Sequence, residues 1–304
     1  MADEQLLAHA VDALSGTDEL PSELVGALSH LVRTDLEAVQ KAWQGLPVQR
    51  RLDVLRQLSE SERSNARQDF NAIYEVALAD DDPTVRRAAV DAIVAENGPA
   101  PLESLSRLAT SDPDSDVREA VLRGIGPFAL MAEIGEFDDS WPDRLRSLLL
   151  GVVDNTSASL GERREALSAV GYLENEAVNR RLAAGLHDDA LHIWAIQGMG
   201  HSANADWIPA LLGEANHPDP TVRQAVAYAC ADIADEQAAE VMVELVDDEE
   251  LGVRLAAIFA LGQIGGEEAR EALIYALEGD RDDVRQAAEE AISELEETED
   301  PLGM

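Results

Sequence analysis

The feature that most constrains this chain is a phrase that it repeats. Asp219-Pro220-Thr221-Val222-Arg223-Gln224-Ala225 returns as Gly252-Val253-Arg254-Leu255-Ala256 and again as Asp283-Val284-Arg285-Gln286-Ala287, with the arginines 31 residues apart. Earlier copies, Asp82-Pro83-Thr84-Val85-Arg86 and Asp116-Val117-Arg118, have arginines 32 apart. Two degenerate copies lie between. One holds Arg163 and leads to Ala169-Val170-Gly171-Tyr172-Leu173; the other has Asp189 in place of the arginine and leads to Ala195-Ile196-Gln197-Gly198-Met199. Modules of this length bury their apolar faces only by stacking on neighbours, so seven of them predict a chain that grows along one axis.

Each unit reads as a helix, a tight turn and a second helix. Counted from the arginine, apolar residues fall at −1, +3, +6, +7 and +10, which puts them on one helical face; Leu261, at +7, is expected to face the first helix. Asp82, Asp114 and Asp219 precede the second helix where a carboxylate can accept its first free amide hydrogens, and Pro83 and Pro220 take the first position, where no N–H is needed. Gly171, Gly262 and Gly265 are expected to mark helix exits. First helices are legible over 207–214, 237–246 and 268–277. Aromatic residues are only 4% of a chain that is 46% hydrophobic, so the core is built from Ala, Leu, Val and Ile, which suit close helix packing. The fold class predicted is all-α, an α-solenoid. The repeated arginine is expected to reach turn carboxylates of its own and the adjacent repeat, forming a ladder.

The pattern Asp-x-x-Val-Arg-x-x-Ala followed by Ala-Leu-Gly-x-Ile-Gly, as in 253–265, resembles the short HEAT-like repeat of bacteria and archaea, the type named after phycobilin lyase subunits. The resemblance implies a right-handed superhelix of HEAT-like helical hairpins over 66–296, strongest over 206–296. Departures are Asp189 and the 45-residue interval between Arg118 and Arg163, where 127–141 reads as an inserted loop. Residues 1–65 lack the motif and read as a divergent helical N-terminal cap, with Thr34-Asp35-Leu36-Glu37 as a capping box. Residues 297–304 read as an acidic, solvated tail.

Charge narrows the partners. With 61 Asp+Glu against 23 Lys+Arg the formal charge is −38, which repels nucleic-acid phosphates and anionic lipid, so neither nucleic acid nor membrane is expected as a partner. Lys41 is the only lysine, and an acidic, lysine-poor surface fits a salt-rich, halophilic cytoplasm, although an arginine bias equally follows from genome composition. The single cysteine, Cys230, allows no internal disulfide, and the acidic start of the chain lacks a secretion signal, so a cytoplasmic location is expected. The longest apolar stretch, near 148–153, is far short of the roughly 20 residues that span a bilayer.

Catalytic signatures are wanting. There is no Gly-x-Ser-x-Gly elbow and no phosphate-binding glycine loop, and Gly262–Gly266 sits where each repeat turns. Some HEAT-like proteins are iron-dependent hydroxylases that hold metal through His-Glu pairs, and here no histidine is followed by glutamate. Four histidines, His187, His192, His201 and His217, fall within one repeat's reach; without a ligand spacing no metal and no cofactor is expected, and His187 and His217 read as solvated turn residues.

One pattern exceeds the repeat. At +5 the seven units carry Asp91, Arg123, Ser168, Trp194, Tyr228, Phe259 and Glu290, so three consecutive units present an aromatic residue. Two readings stand: a binding row along the concave groove, with rings about 10 Å apart as packed helices are, or packing between helices. In the first, Arg123 and Arg164 add a basic end that steers an acidic partner, and Glu289–Glu290 an end that favours a basic one. The function expected is a non-catalytic scaffold binding a protein or peptide; the alternative is a lyase- or hydroxylase-like subunit acting on a cofactor or protein modification.

Overall fold

The computed structural model describes residues 2–95, 102–279 and 281–299, and every regular element among them is helical. The chain divides into two compact units, 1–128 and 129–304. In the first, α1 (Ala2–Leu14), α2 (Ser22–Ala27), α3 (Arg33–Gln44), α4 (Val48–Ser64), α5 (Asn71–Leu78), α6 (Pro83–Ala95), α7 (Leu102–Ser111) and α8 (Ser115–Gly124) follow in order. Helix α4 packs on α6 and α6 on α8, while α3 packs on α5, so inner and outer helices form two layers. Residues 1–65 thus share a unit with the first two copies of the motif.

A short helix, α9 (Gly126–Glu133), carries the division between units. The expected loop 127–141 is therefore corrected in part: 127–133 is helical, and an irregular connection remains over 134–140. Pro127 occupies a first-turn position that a helix tolerates, and Phe128, Ala129 and Ala132 are buried from one face.

The second unit continues with α10 (Trp141–Asp154), α11 (Leu160–Val170), α12 (Glu176–Gly185), α13 (His192–His201), α14 (Ile208–Gly213), α15 (Pro220–Ile233), α16 (Ala239–Leu245), α17 (Leu251–Ile264), α18 (Gly266–Leu277) and α19 (Asp282–Glu299). Second helices α11, α13, α15, α17 and α19 pack in succession, each backed by its first helix. The register is the one the arginine count predicts: Val253, Ala257, Ala260 and Leu261 are buried, and so are their counterparts Val222, Val226, Ala229 and Cys230.

Turn chemistry holds the hairpins. Asp114 accepts from the amides of Asp116 and Val117, and Asp219 from that of Thr221. The Thr221 hydroxyl and amide hold the Asp219 carboxyl below its usual range, as Thr84 does for Asp82. Gly265 closes α17 with φ +71, a left-handed value that a side chain would strain, whereas Gly262 lies inside that helix rather than at its exit. The capping box expected at Thr34 is not formed: Thr34 lies inside α3, whose N-cap is Val32, a residue with no side-chain acceptor, and the side-chain contact at this end is the Val32 amide donating to Asp35 at 3.2 Å. In the acidic tail 297–299 continues α19, and 300–304 lies outside the described residues.

The arginines form rungs. Nη1 of Arg86, Arg223, Arg254 and Arg285 donates to the carbonyl six residues earlier, that of Asp80, His217, Asp248 and Gly279, at 2.7–3.0 Å. Their own turns are thus gripped through carbonyls, and Arg285 also pairs with the Asp282 carboxylate of its own turn. The rest of the guanidinium points forward: Arg86 makes a two-pronged pair with Asp112, both contacts 2.7 Å, and Arg223 with Asp248 at 2.7 and 2.8 Å. Arg51 of α4 likewise pairs with Asp80, which also accepts from the Trp43 indole at 2.7 Å. Helices α3 and α4 are therefore a further repeat whose motif has decayed.

Candidate functional site

The expected +5 row is corrected at α13: with His192 in the arginine place, Gln197 stands at +5 and Trp194 at +2, while Ser168, Tyr228 and Phe259 keep the position on α11, α15 and α17. Ser168 is buried and meets His201, whose Nδ1 lies 3.1 Å from the Ser168 carbonyl. Trp194 is half-buried, with the Arg164 guanidinium carbon 4.2 Å over its ring. Tyr228 and Phe259 are 45% and 42% exposed.

These last two rings meet at 6.0 Å between centroids, tilted by 58°. The expected 10 Å interval is corrected: it is the distance between helix axes, and the side chains of α15 and α17 lean together across it. Beside them a cleft of about 430 Å³ is lined by Tyr228, Leu255, Phe259, Ala287, Glu290 and Glu294. The +5 positions of three repeats thus border one cleft, two as aromatic faces and one as a carboxylate. Glu290 and Glu294 accept from the Gln286 and Gln263 amides at 2.9 and 3.1 Å, which holds both acids at the rim.

The predicted arginines are placed differently. Arg164 donates from Nε to the Ala190 carbonyl, 2.8 Å, while covering Trp194, so it braces the turn before α13. Arg123 belongs to the first unit, on α8, where it pairs with Glu119 at 2.9 Å.

A second cluster has no precursor in local spacing. His192 opens α13, Glu214 follows α14, and His217 sits in the turn before α15. His192 Nε2 is 3.2 Å from Glu214 Oε2, and the two imidazoles meet edge to face at 5.4 Å. Each residue offers one donor atom within 4.8 Å of the others. Of the four histidines singled out in the sequence, the fold brings two together, and His217 is half-buried rather than solvated. The arginine place assigned to Asp189 is corrected by three residues: His192 holds it, 31 residues before Arg223, with Leu191, Ala195 and Met199 buried around it, and His217 stands where the following turn carries aspartate.

The family model for HEAT repeats matches residues 50–126, 181–253 and 208–293, more than half of the chain. The chain is a HEAT-repeat protein. Its match from residue 50 takes in Arg51 and α4, in agreement with the decayed repeat found in the first unit. No curated protein matches the sequence. Among solved structures, the HEAT-repeat chain is similar to one from the complex in which Kap95p binds RanGDP, with TM-score 0.52 and 14% identity over 96% of this chain and 45% of that one. A designed armadillo repeat protein matches at TM-score 0.41 and 19% identity, covering 64% of this chain and 99% of that one. YibA of Escherichia coli gives TM-score 0.46 and 14% identity, covering 92% and 98%. The likeness to the first shows the fold, an all-helical solenoid. No helix among the described residues is long and apolar enough to cross a membrane.

Proposed function

We propose that this HEAT-repeat protein is a non-catalytic scaffold that binds a protein or peptide on the second-helix face of its second unit. The observation that carries the reading is the exposed pair Tyr228 and Phe259, set beside a cleft whose far wall is Glu290 and Glu294. Aromatic rings left half in solvent on adjacent rigid helices are anchors in the form that interfaces use, large in contact area and low in entropy cost. The carboxylates select the company an apolar residue must keep. A segment with an apolar side chain next to lysine or arginine satisfies both walls, whereas an acidic segment meets a surface already carrying −38. The fold is shared with a chain of the Kap95p–RanGDP complex, a protein–protein assembly. A cytoplasmic setting fits the lone, buried Cys230.

The test uses a random peptide library displayed against the full chain. Enriched peptides are expected to pair apolar and basic residues, and Tyr228→Ala and Phe259→Ala each to weaken them about tenfold or more with little change in melting temperature. Peptides that bind both variants as well as the parent would place the site elsewhere; lost stability with binding intact would make the rings packing residues.

A further inference from the structure

The His192, Glu214 and His217 cluster occupies a place where the ladder is broken on both sides at once. In intact rungs the acid six residues before the motif arginine has two tasks. Its carboxylate receives the arginine of the preceding repeat, and its Oδ1 accepts the amide two residues on: Asp80 from Asp82, Asp112 from Asp114 and Asp248 from Glu250, each at 2.9 Å. His217 holds that position and keeps the second task, its Nδ1 accepting the Asp219 amide at 3.1 Å. The first task has no guanidinium partner, because the preceding repeat carries His192 where the arginine belongs: Asp188 accepts the Ala190 amide as Asp219 accepts that of Thr221, and Leu191, Ala195 and Met199 are buried as Val222, Val226 and Cys230 are.

His192 faces His217 where an intact rung has arginine facing aspartate. Its side chain is 15% exposed, and its Nε2 is buried without a hydrogen bond even though Glu214 Oε2 stands 3.2 Å away, because the oxygen is off the direction in which the ring nitrogen bonds. A buried ring nitrogen that faces a carboxylate and a second imidazole, yet bonds neither, lacks a group to bridge all three. A guanidinium at 192 would fill the place or repel such a group; an imidazole leaves it open to a cation.

We propose that His192, Glu214 and His217 bind a divalent transition-metal ion, which replaces the missing arginine–aspartate rung and ties α13, α14 and the turn before α15 together. Two imidazoles and one carboxylate are a donor set suited to Zn²⁺, with a fourth position left for water, and ill suited to Mg²⁺ or Ca²⁺, which prefer oxygen. Donors around one tetrahedral Zn²⁺ stand about 3.4 Å apart, so donors now within 4.8 Å close on the ion by side-chain rotation. The tautomer of His217 is part of the event. While Nδ1 accepts from Asp219, a neutral ring carries its proton on Nε2; coordination through Nε2 moves that proton to Nδ1, and coordination through Nδ1 replaces the contact, so the ion displaces one turn hydrogen bond in either case.

The experiment takes the full chain, stripped with a chelator and held in molar KCl so that diffuse binding to surface carboxylates is screened. Zn²⁺ is titrated by calorimetry and Co²⁺ by visible absorption. One equivalent is expected, with the d–d bands of tetrahedral Co²⁺ and a higher melting temperature on binding. His192→Ala and His217→Ala should each weaken Zn²⁺ by about a hundredfold or more, and His187→Ala, in an exposed turn, should change nothing. The paired substitution His192→Arg with His217→Asp rebuilds the rung; it should keep the melting temperature of the metal-free parent, or raise it, and abolish binding. Weak binding of many ions without visible bands would overturn the proposal, as would one tight ion retained by His192→Ala or by the rebuilt rung.

Discussion

Arg86 on α6 holds Asp112 in the next turn through two parallel contacts, Nε to Oδ2 and Nη2 to Oδ1, each 2.7 Å, with both side chains almost wholly buried. A guanidinium and a carboxylate with this geometry are strong partners but costly to separate, since the one left behind stays out of water.

Asp112→Asn should therefore destabilise the chain by about 3 kcal/mol at neutral pH. Burial pushes the Asp112 carboxyl up, but the bonds from Arg86 and the Asp114 amide outweigh it and leave the acid below its ordinary range; the Arg223 bond does the same for Asp248. A lowered carboxyl contributes stability that is present above its unfolded value near 3.9 and is lost as pH falls through the folded value. Urea melts of parent and variant should differ by a constant amount above about pH 4 and converge below it. A gap that persists unchanged in acid would show that the charge is not what stabilises.

The rung beyond Arg254 is missing its acid. Gly279 stands six residues before Arg285, and the buried Nε of Arg254 has no hydrogen-bond partner. Gly279→Asp supplies a carboxylate at the position that Asp112 and Asp248 hold in their turns. It should stabilise by about 1 kcal/mol, raising the calorimetric melting temperature in molar salt; an unchanged or lower value would mean that the turn does not present the acid as its counterparts do.

Net charge should make stability depend on salt. At 0.1 M ionic strength charges act over roughly 10 Å, and at 1 M over about 3 Å, so repulsion within a chain of −38 fades between the two. The melting temperature is expected to rise steadily from 0.1 M to molar KCl. A flat response would remove self-repulsion as a term and with it the physical case for a salt-rich host.

Cys230, at the +7 position of α15, is fully buried, and burial pushes its thiol up to about 12. The thiolate that reacts with disulfide reagents is thus scarce in the folded protein. Labelling in native buffer should be slower than in urea by the factor that separates closed from open α15, and fast labelling of the native chain would contradict the packing described.

The legible parts of the sequence were those that repeat. Val222, Arg223 and Val226 recur at a fixed interval, so their register and burial could be read without coordinates. Helices α3 and α4 were read only as a divergent cap because Gly45-Leu46-Pro47 replaces the Asp-Pro turn, and Arg51 is recognisable only once it is seen holding Asp80. Helix α9 was masked by Gly126-Pro127, residues that punctuate more often than they begin a helix. At the candidate cleft, the alternation of residue types placed Tyr228 and Phe259 on one face, but the lean of one ring toward the other depends on rotamers that no spacing encodes. The histidine cluster lay deeper still, since His192 and His217 are 25 positions apart and meet only because consecutive hairpins stack.

The rungs from Arg51 to Asp80, Arg86 to Asp112 and Arg223 to Asp248 run from an earlier repeat to a later one. The solenoid is therefore not symmetric under cutting. Removing hairpins from the C-terminal side strips acceptors and strands guanidiniums inside the protein, whereas removing them from the N-terminal side strips donors and leaves carboxylates in turns, near water. One joint escapes this rule: among the described residues no carboxylate receives the Nε of Arg254, so cutting away the hairpin of α18 and α19 strands no guanidinium that was paired there.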